Sequence, residues 1–312
     1  MLFRSILLWA VVFAPAPGDT RWIRTLHNSA HAPIFGCVAL LTLAVIRAQA
    51  RLAMLSPAKQ YAMALAVALC LGLLTELLQL PTGRDASIED ALHDLIGAVA
   101  LLGLFAVIDE QVRKLPYARA VRSVAAVVGI VALAVAAAPV TRAAIKYQQR
   151  EERFPVLSDF TQRFDRYFIL QRSAELSPAP MPKQWARTAG EKAMHVRMLD
   201  EQYAGLDFIE LRPDWSGYST LAIDLTNPTP LGLQFVLRVH DTGHDNHASD
   251  RFNGLFELPP GTRRVFRIPL RDIAAAPRER TLDLRQVAGM IIFRTDDSPR
   301  VGEIYFSRAW LE

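Results

Sequence analysis

The sequence predicts two domains of different kinds, an α-helical transmembrane bundle followed by an all-β, jelly-roll-like sandwich. Long runs of Leu, Ala and Val dominate the first 140 residues. The later residues alternate between apolar and polar, and frequent Pro and Gly divide them into strand-like stretches. A length of 312 residues fits about two domains. The net charge is only +4 and the basic residues are scattered, which gives little support to a nucleic-acid patch, so we expect no nucleic-acid partner.

Five apolar runs in the first domain are predicted to be transmembrane helices. A helix needs about 20 apolar residues to cross a bilayer. The last four runs are long enough, whereas the first is short and also resembles a signal peptide. We interpret it as a retained helix because Pro17 would hinder cleavage. The runs are Leu2–Ala16, Pro33–Ala50, Gln60–Leu80, Ala91–Ile108 and Val121–Ala138.

The basic residues of the short loops indicate how the helices are oriented. The side richer in Lys and Arg faces the cytoplasm. That side carries Arg4, Arg47, Arg51, Lys59, Arg113, Lys114, Arg119 and Arg122, and the other carries Arg21, Arg24 and Arg84. The C-terminal half is therefore expected outside the cytoplasm. We predict a transmembrane domain over residues 1–140, a juxtamembrane helix and Pro-rich linker over 141–182, and the sandwich over 183–312.

Polar side chains have helical spacing within the apolar runs. Glu76 and Gln79 share one helix face, and so do Asp90 and Asp94. Ionisable residues at membrane depth often mark functional sites. Three interpretations remain open: an internal polar network, a site for an envelope substrate, and a proton or ion path. The candidate cluster comprises His31, Glu76, Gln79, Arg84, Asp90 and Asp94.

This spacing, with His31 before one span and then Glu76-x-x-Gln79-x4-Arg84-x5-Asp90-x3-Asp94-x-x-Gly97, resembles the VanZ-like family of bacterial membrane proteins. The resemblance covers about residues 1–110. It implies a multi-pass protein of the bacterial inner membrane with its C-terminal domain in the periplasm. It also implies a role in the cell envelope, with an association with glycopeptide-antibiotic resistance.

Eight strand-like stretches and one short helix are predicted in the second half. In the fourth stretch, Phe235, Leu237 and Val239 alternate with polar or smaller residues, which is typical of a strand with one buried face. The short helix is expected at Leu270–Ala275. The strands are Ala193–Leu199, Leu206–Leu211, Thr220–Leu225, Leu233–His240, Gly254–Leu258, Arg263–Ile268, Val287–Arg294 and Glu303–Trp310.

A polar loop after the fourth strand is the main candidate binding site of this half. Its donors and acceptors suit sugar hydroxyls, although a solvated connection between strands explains the same composition. Trp215 and Tyr218 offer rings for sugar stacking. Calcium is a possible ligand of Asp241, Asp245 and Asp250, and no other cofactor is indicated. The loop candidates are His240, Asp241, His244, Asp250, Arg251 and Asn253.

Residues 155–312 resemble galactose-binding-like and carbohydrate-binding β-sandwich modules. The resemblance is carried by Trp215-Ser216-Gly217-Tyr218, Asp250-Arg251-Phe252-Asn253 and Glu303-Ile304-Tyr305-Phe306. It implies glycan binding on a sheet face or at loop tips, often with a structural calcium and without catalysis. No hydrolase signature is present in this half.

Two functions are consistent with these observations. In the first, the protein is anchored among membrane lipids and its sandwich binds an envelope or extracellular glycan. In the second, the helical bundle is an enzyme or carrier for a lipid-linked envelope precursor, in which Arg84 binds the anionic group and Glu76 and Asp90 handle protons.

Overall fold

The computed structural model describes residues 20–79, 88–161, 166–295 and 302–312, without the side chains of Glu76, Gln79 and residues 88–90. The chain divides into two compact units, Met1–Ile145 and Lys146–Glu312. The predicted fold class is confirmed: a helical region with apolar spans precedes a β-sandwich of two antiparallel sheets.

The first unit is helical. Among the described helices, α1, α3, α4 and α6 are long and apolar enough to cross a membrane. They coincide with the last four predicted runs, and the run Leu2–Ala16 lies outside the described residues. α1 begins after Thr20, whose hydroxyl accepts a hydrogen bond of 3.3 Å from the N–H of Ile23. The helices are α1 (Arg21–Ala48), α2 (Ala50–Ala53), α3 (Pro57–Gln79), α4 (Ile88–Ile108), α5 (Glu110–Arg113) and α6 (Ala118–Arg153).

Glycines allow α1 and α4 to pack closely. A Cβ atom placed on Gly97 would lie 1.9 Å from the backbone oxygen of Ala32. A Cβ atom on Gly36 would lie 2.6 Å from the Leu101 side chain. Small residues at a helix interface let the two backbones approach closely. The van der Waals packing that results helps to hold apolar helices together. Gly97 therefore fixes the separation of the two helices.

The second unit is a sandwich with strands in the order β3-β4-β11-β6-β9 in the first sheet, where β1 also pairs with β11, and β2-β5-β10-β7-β8 in the second. The eight predicted strands are confirmed as β4 to β11, and α7 (Leu270–Ala274) is the expected short helix. The strands are β1 (Val156–Asp159), β2 (Ile169–Arg172), β3 (Ala174–Pro180), β4 (Lys192–Met198), β5 (Gly205–Ile209), β6 (Thr220–Thr226), β7 (Leu233–Asp241), β8 (Phe252–Leu258), β9 (Arg263–Pro269), β10 (Val287–Arg294) and β11 (Gly302–Leu311).

The Pro-rich segment Ser177–Pro182 differs from the expectation of a linker, because its first part lies in β3. β3 is an edge strand that pairs only with β4 in the described sheet. Proline is tolerated there because an edge strand leaves part of its N–H groups without a ladder partner. The described strands of the sandwich begin at Val156, and the residues predicted as a juxtamembrane helix form the last part of α6, up to Arg153.

The core lies between the two sheets and defines which face of β7 points outward. Phe235, Leu237 and Val239 are at most 5% exposed and pack in this core. Their neighbours Arg238 and His240 are more exposed and lie on the opposite side of the strand. The predicted alternation of β7 is confirmed. We call the side that carries Arg238 and His240 the outer face of the second sheet.

Candidate functional site

The polar loop after β7 is organised by Arg280. Its Nη1 donates to Asp241 Oδ2 at 2.6 Å, and its Nη2 donates to Asp241 Oδ1 at 2.8 Å. Nη2 also donates to Asp250 Oδ2 at 2.9 Å. The N–H of Asp283 donates to Asp241 Oδ2 at 2.8 Å. One guanidinium therefore joins the two ends of the loop, as its planar set of donors allows.

Arg280 determines the charge state of the two carboxylates. Burial alone would raise the pKa of Asp241, but the hydrogen bonds from Arg280 and Asp283 outweigh it and hold that pKa below its usual value. The hydrogen bond from Arg280 lowers the pKa of Asp250 to about 2. The same bonds raise the pKa of Arg280. All three groups are therefore charged near neutral pH.

The expected calcium site does not fit this arrangement. Calcium binds six to eight oxygens, but Asp241 and Asp250 both use their carboxylate oxygens to bind Arg280. The exposed Asp245 is instead close to His244 and Asp250, with possible ligand atoms within 4.8 Å of one another. Arg280 already supplies the positive charge that calcium would bring between Asp241 and Asp250.

The prediction that Trp215 offers a ring for sugar stacking is wrong. Its side chain is fully buried in the core, and its Nε1–H donates to the backbone oxygen of Arg212 at 2.9 Å. Tyr218 is half-buried and packs edge-on against Phe154, with ring centroids 5.3 Å apart. Among the described contacts, no hydrogen bond or ring contact joins Trp215 or Tyr218 to the polar loop.

The outer face of the second sheet brings polar and aromatic residues together across five strands. Its central row runs in register through paired residues of β2, β5, β10, β7 and β8. The row consists of Leu170, Asp207, Ile291, Arg238 and Asn253. Arg172 binds Asp207 within this face, with Nη2 and Oδ2 2.8 Å apart.

Arg238 lies over the ring of Phe293, with its Cζ 5.1 Å from the ring centroid. A guanidinium carries five N–H donors. None of the five has a hydrogen-bond or ion-pair partner among the described residues, and Nε is buried. Burial lowers the pKa of Arg238, and the neighbouring charges of Arg251 and Arg172 lower it further. Tyr203 and Asp207 act in the opposite direction but do not outweigh these effects on the pKa, so the desolvation of this cation is only partly compensated by the protein.

Tyr203 completes an aromatic pair at one end of this face. Its ring contacts that of Phe293 edge-on, with centroids 5.4 Å apart, and its side chain is 52% exposed. The backbone of Tyr203 has φ of 60°, which is uncommon for a residue with a bulky side chain. The loop before β5 thus holds an exposed ring beside Arg238 in a conformation that costs energy.

His240 occupies the other end of the face. Its ring lies against the backbone of Gly289, where a Cβ atom would be 2.5 Å from His240 Cε1. His240 Nδ1 is buried and has no hydrogen-bond partner among the described residues. Burial lowers the pKa of His240, and His244 lowers it further, which favours the neutral ring.

The loop residues extend this end of the face. Arg251 Nε donates to Asn253 Oδ1 at 3.3 Å, and Arg251 Nη1 lies 3.4 Å from His244 Nε2. The rings of His240 and His244 are 5.2 Å apart. The structure therefore brings together four of the predicted loop candidates, whereas Asp241 and Asp250 hold the loop through Arg280.

The predicted site residues did not include Arg172, Tyr203, Asp207, Arg238 and Phe293. Arg238 could have been found, because it alternates with the buried apolar residues of β7 and must face outward. Tyr203 and Phe293 meet only through the pairing of β5 with β10, to which no local sequence signal points.

In the first unit, the structure joins two members of the predicted polar cluster. His31 Nδ1 and Asp94 Oδ1 are 3.1 Å apart, and both side chains are buried. Gly72 of α3 leaves room for Asp94, because a Cβ atom there would be 2.8 Å from Asp94 Oδ2. Arg84 lies outside the described residues. Glu76, Gln79 and Asp90 are in helices, but their side chains are not described.

A second polar network at the opposite helix ends was not predicted. Arg47 Nη2 donates to Asp109 Oδ2 at 2.6 Å, and its Nε donates to Gln60 at 3.0 Å. The hydroxyl of Tyr61 donates to Asp109 Oδ2 at 2.8 Å. This network joins the end of α1, the start of α3 and the end of α4, which is the arrangement expected of a helix-bundle network.

In the part of the chain that the structure describes, four apolar helices precede a two-sheet sandwich with an aromatic and basic outer face. No family model matches the chain, and no curated protein matches it.

Several solved structures are similar to half of the chain. An exo-beta-agarase has 16% identity and a TM-score of 0.41, with 50% of this chain and 25% of that chain covered. A family 11 carbohydrate-binding module from Clostridium thermocellum, in complex with a beta-1,3-1,4-mixed-linked tetrasaccharide, has 16% identity and a TM-score of 0.36, with 50% and 93% covered. The chain thus spans about a quarter of the agarase. Likeness at this level does not transfer a ligand to this chain.

Proposed function

We propose that this chain is a membrane-anchored glycan-binding protein whose binding surface is the outer face of the second sheet. The observation that carries the proposal is Arg238, a partly buried cation with no hydrogen-bond or ion-pair partner in the described structure, beside the exposed ring of Tyr203. Protein groups that bind sugars combine apolar ring faces with directed hydrogen-bond donors and acceptors. Arg238, His240 and Asn253 supply such groups along the same face.

The length of the outer face of the second sheet suits an extended oligosaccharide better than a small compact ligand. The row from Leu170 to Asn253 crosses five strands. With about 4.8 Å between strands, the row extends about 19 Å, which is the length of several sugar rings. Tyr203 and His240 flank this row on its two sides, toward opposite ends of the strands. A chain that follows the row can therefore contact Arg238 and Asn253, with Tyr203 and His240 on either side of it.

Glycan binding is tested with the full chain purified in a neutral detergent and applied to a glycan array. We expect binding to a defined group of glycans and a loss of about 10-fold or more in affinity for Tyr203→Ala, because stacking on an aromatic ring contributes strongly to contact energy. The control is Tyr117→Ala, which removes another tyrosine, 79% exposed, from the first unit. Absence of binding, or equal losses in both variants, would contradict the proposal.

We further propose that the helical unit, which resembles the VanZ-like family, spans a bacterial inner membrane and that the sandwich lies on the periplasmic side. Apolar side chains on α6 support the first part: Val124, Val127 and Ile130 are 63%, 62% and 59% exposed. A face of this kind is stable in lipid and prone to association in water. The network of Arg47 and Asp109 lies at the helix ends where the basic loops predict the cytoplasm.

The orientation is tested by cysteine labelling in intact spheroplasts. Cys37 and Cys70 are first replaced by Ser to remove the native thiols. We expect a membrane-impermeant maleimide to label Gly217→Cys, where a side chain meets nothing within 4 Å. The matched control Tyr117→Cys, between α5 and α6, should react only after permeabilisation. The reverse labelling pattern would place the sandwich in the cytoplasm.

A further inference from the structure

We infer that the outer face of the second sheet selects glycans that carry carboxylate or sulfate groups over neutral glycans, with Arg238 as the anion contact. This inference rests on the proposed function and specifies its ligand class. It follows from the balance of charge on the face, from the missing partners of Arg238 and from a basic depression beside the loop.

Positive charge is in excess on the part of the face around Arg238. Arg172 is the only one of the three arginines there with a carboxylate partner in the described residues, since it binds Asp207. Arg238 and Arg251 form no ion pair within the described part of the chain. Glu257, at the far end of β8, accepts a hydrogen bond of 3.1 Å from Gln234. Two guanidinium groups therefore remain available for an anionic ligand.

A shallow depression next to the loop continues the basic surface. It is lined by Arg251, Arg278, His247, Ser249, Asn253 and two alanines. No carboxylate is among these lining residues. Arg278 has no ion-pair partner among the residues that the structure describes. Because Arg251 lines the depression and also contacts Asn253, the basic surface is continuous with the row that contains Arg238.

In the first sheet, Arg263 shows the opposite arrangement, because its charge is neutralised within the protein. Arg263 binds Glu191 at 2.6 Å and Asp224 at 2.7 Å, and both acids are buried. Arg308 lies over the ring of Trp310 much as Arg238 lies over Phe293, with 5.2 Å between Cζ and the ring centroid, and its buried Nε likewise has no hydrogen-bond partner among the described residues. However, Arg308 is paired in register with Asp159 and Asp224, so acidic residues flank it on both sides.

Anion binding would remove the cost of leaving Arg238 desolvated. Burying an unpaired cation is unfavourable, and a charge-assisted pair with a carboxylate or sulfate offsets that cost. The planar guanidinium matches the two oxygens of such a group. A neutral sugar offers only hydroxyl acceptors and leaves the charge uncompensated. The same site should therefore bind the acidic form of a polysaccharide more tightly than an uncharged form with the same backbone.

The test compares polysaccharides that differ only in charge, using the full chain in a neutral detergent and isothermal titration calorimetry. The first pair is polygalacturonate and its methyl ester, and the second is dextran sulfate and dextran. We expect the charged member of at least one pair to bind about 10-fold or more tightly. Its affinity should fall as salt rises from 50 to about 300 mM, because salt screens exposed charge.

Three variants identify the contact. Arg238→Gln should lower affinity for the charged glycan by about 10-fold to 100-fold while changing affinity for the neutral form by less than about 3-fold. Arg238→Lys keeps the positive charge but loses the planar guanidinium and its paired N–H donors, so we expect an intermediate loss of affinity for the charged glycan. The matched control is Arg308→Gln, which removes the corresponding arginine of the first sheet. It should bind both forms as the unchanged chain does.

The outcomes separate this inference from the proposed function. Equal binding of charged and neutral partners overturns the anion selectivity and leaves glycan binding standing. Binding to neutral glycans alone also overturns the anion selectivity and leaves glycan binding standing. Losses that are equal for both forms in Arg238→Gln, or equal in Arg238→Gln and Arg308→Gln, refute the role of Arg238. Binding to none of the glycans overturns both proposals, even if free sulfate or vesicles of anionic lipid bind.

Discussion

Replacing Arg280 by Gln should destabilise the second unit, because it leaves the buried carboxylate of Asp241 without its ion-pair partner. Asp241 is 2% exposed, and without Arg280 its described partners reduce to backbone donors such as the N–H of Asp283. Breaking a buried ion pair by removing one partner costs about 3–5 kcal/mol. Because the Arg280 side chain is itself 30% exposed, water can replace part of the interaction, and we expect a loss of about 2–4 kcal/mol. For a domain of this size that corresponds to about 4–16 °C in Tm.

The assay is thermal unfolding of the full chain in detergent, followed by tryptophan fluorescence. Trp215 is fully buried in the core of the sandwich and reports the unfolding of that unit. The control is Arg271→Gln, because the Arg271 side chain is 87% exposed and its ion pair with Asp272 measures 3.5 Å. A surface pair of this kind contributes about 0–1 kcal/mol. Equal Tm values for Arg280→Gln and Arg271→Gln would refute the reasoning.

Three further outcomes follow from the same contacts. Because the pKa of Asp250 is about 2 in the folded chain and about 3.9 when unfolded, its contribution to stability is complete above about pH 4 and is lost as pH falls towards 2. Tm should therefore fall less steeply over this pH range in Arg280→Gln than in the unchanged chain. Parallel slopes of Tm against pH would argue against this role of Arg280. Gly97→Val places a Cβ 1.9 Å from the backbone of α1 and should give aggregated protein in size-exclusion chromatography, whereas Gly217→Ala should elute normally; a monodisperse Gly97→Val would contradict the helix packing. Arg238→Met should leave Tm unchanged or higher, because it removes a desolvated cation without a described partner; a loss as large as that of Arg280→Gln would show a structural role.

Much of the sandwich could be predicted because its strands have clear alternation or strong apolar content. β7 is an example, since Phe235, Leu237 and Val239 face the core as their spacing predicts. β3 was missed because Pro178 and Pro180 argue against a strand unless its edge position is known. The edge position depends on the whole order of the first sheet, which local sequence does not contain.

The candidate site could be predicted only in part because its residues are joined by sheet register. The polar loop was found from its composition, yet the partner that organises it, Arg280, is 30 residues or more from the residues it binds. Trp215 was misplaced for a related reason. Its Nε1–H bonds to the backbone oxygen of Arg212 three residues earlier, so the ring can be buried without leaving a polar atom unsatisfied.

Arg280 and Arg238 show how identical side chains acquire different roles from their surroundings. Arg280 binds two carboxylates, so its charge holds the loop in place and its loss should lower stability. Arg238 packs on Phe293 but has no described hydrogen-bond partner, so the cost of desolvating its charge is only partly offset in the folded chain. Such a cost is typical of a site that becomes complete only with its ligand. Charge on the outer face of the second sheet is therefore better explained by recognition of an anionic partner than by stability.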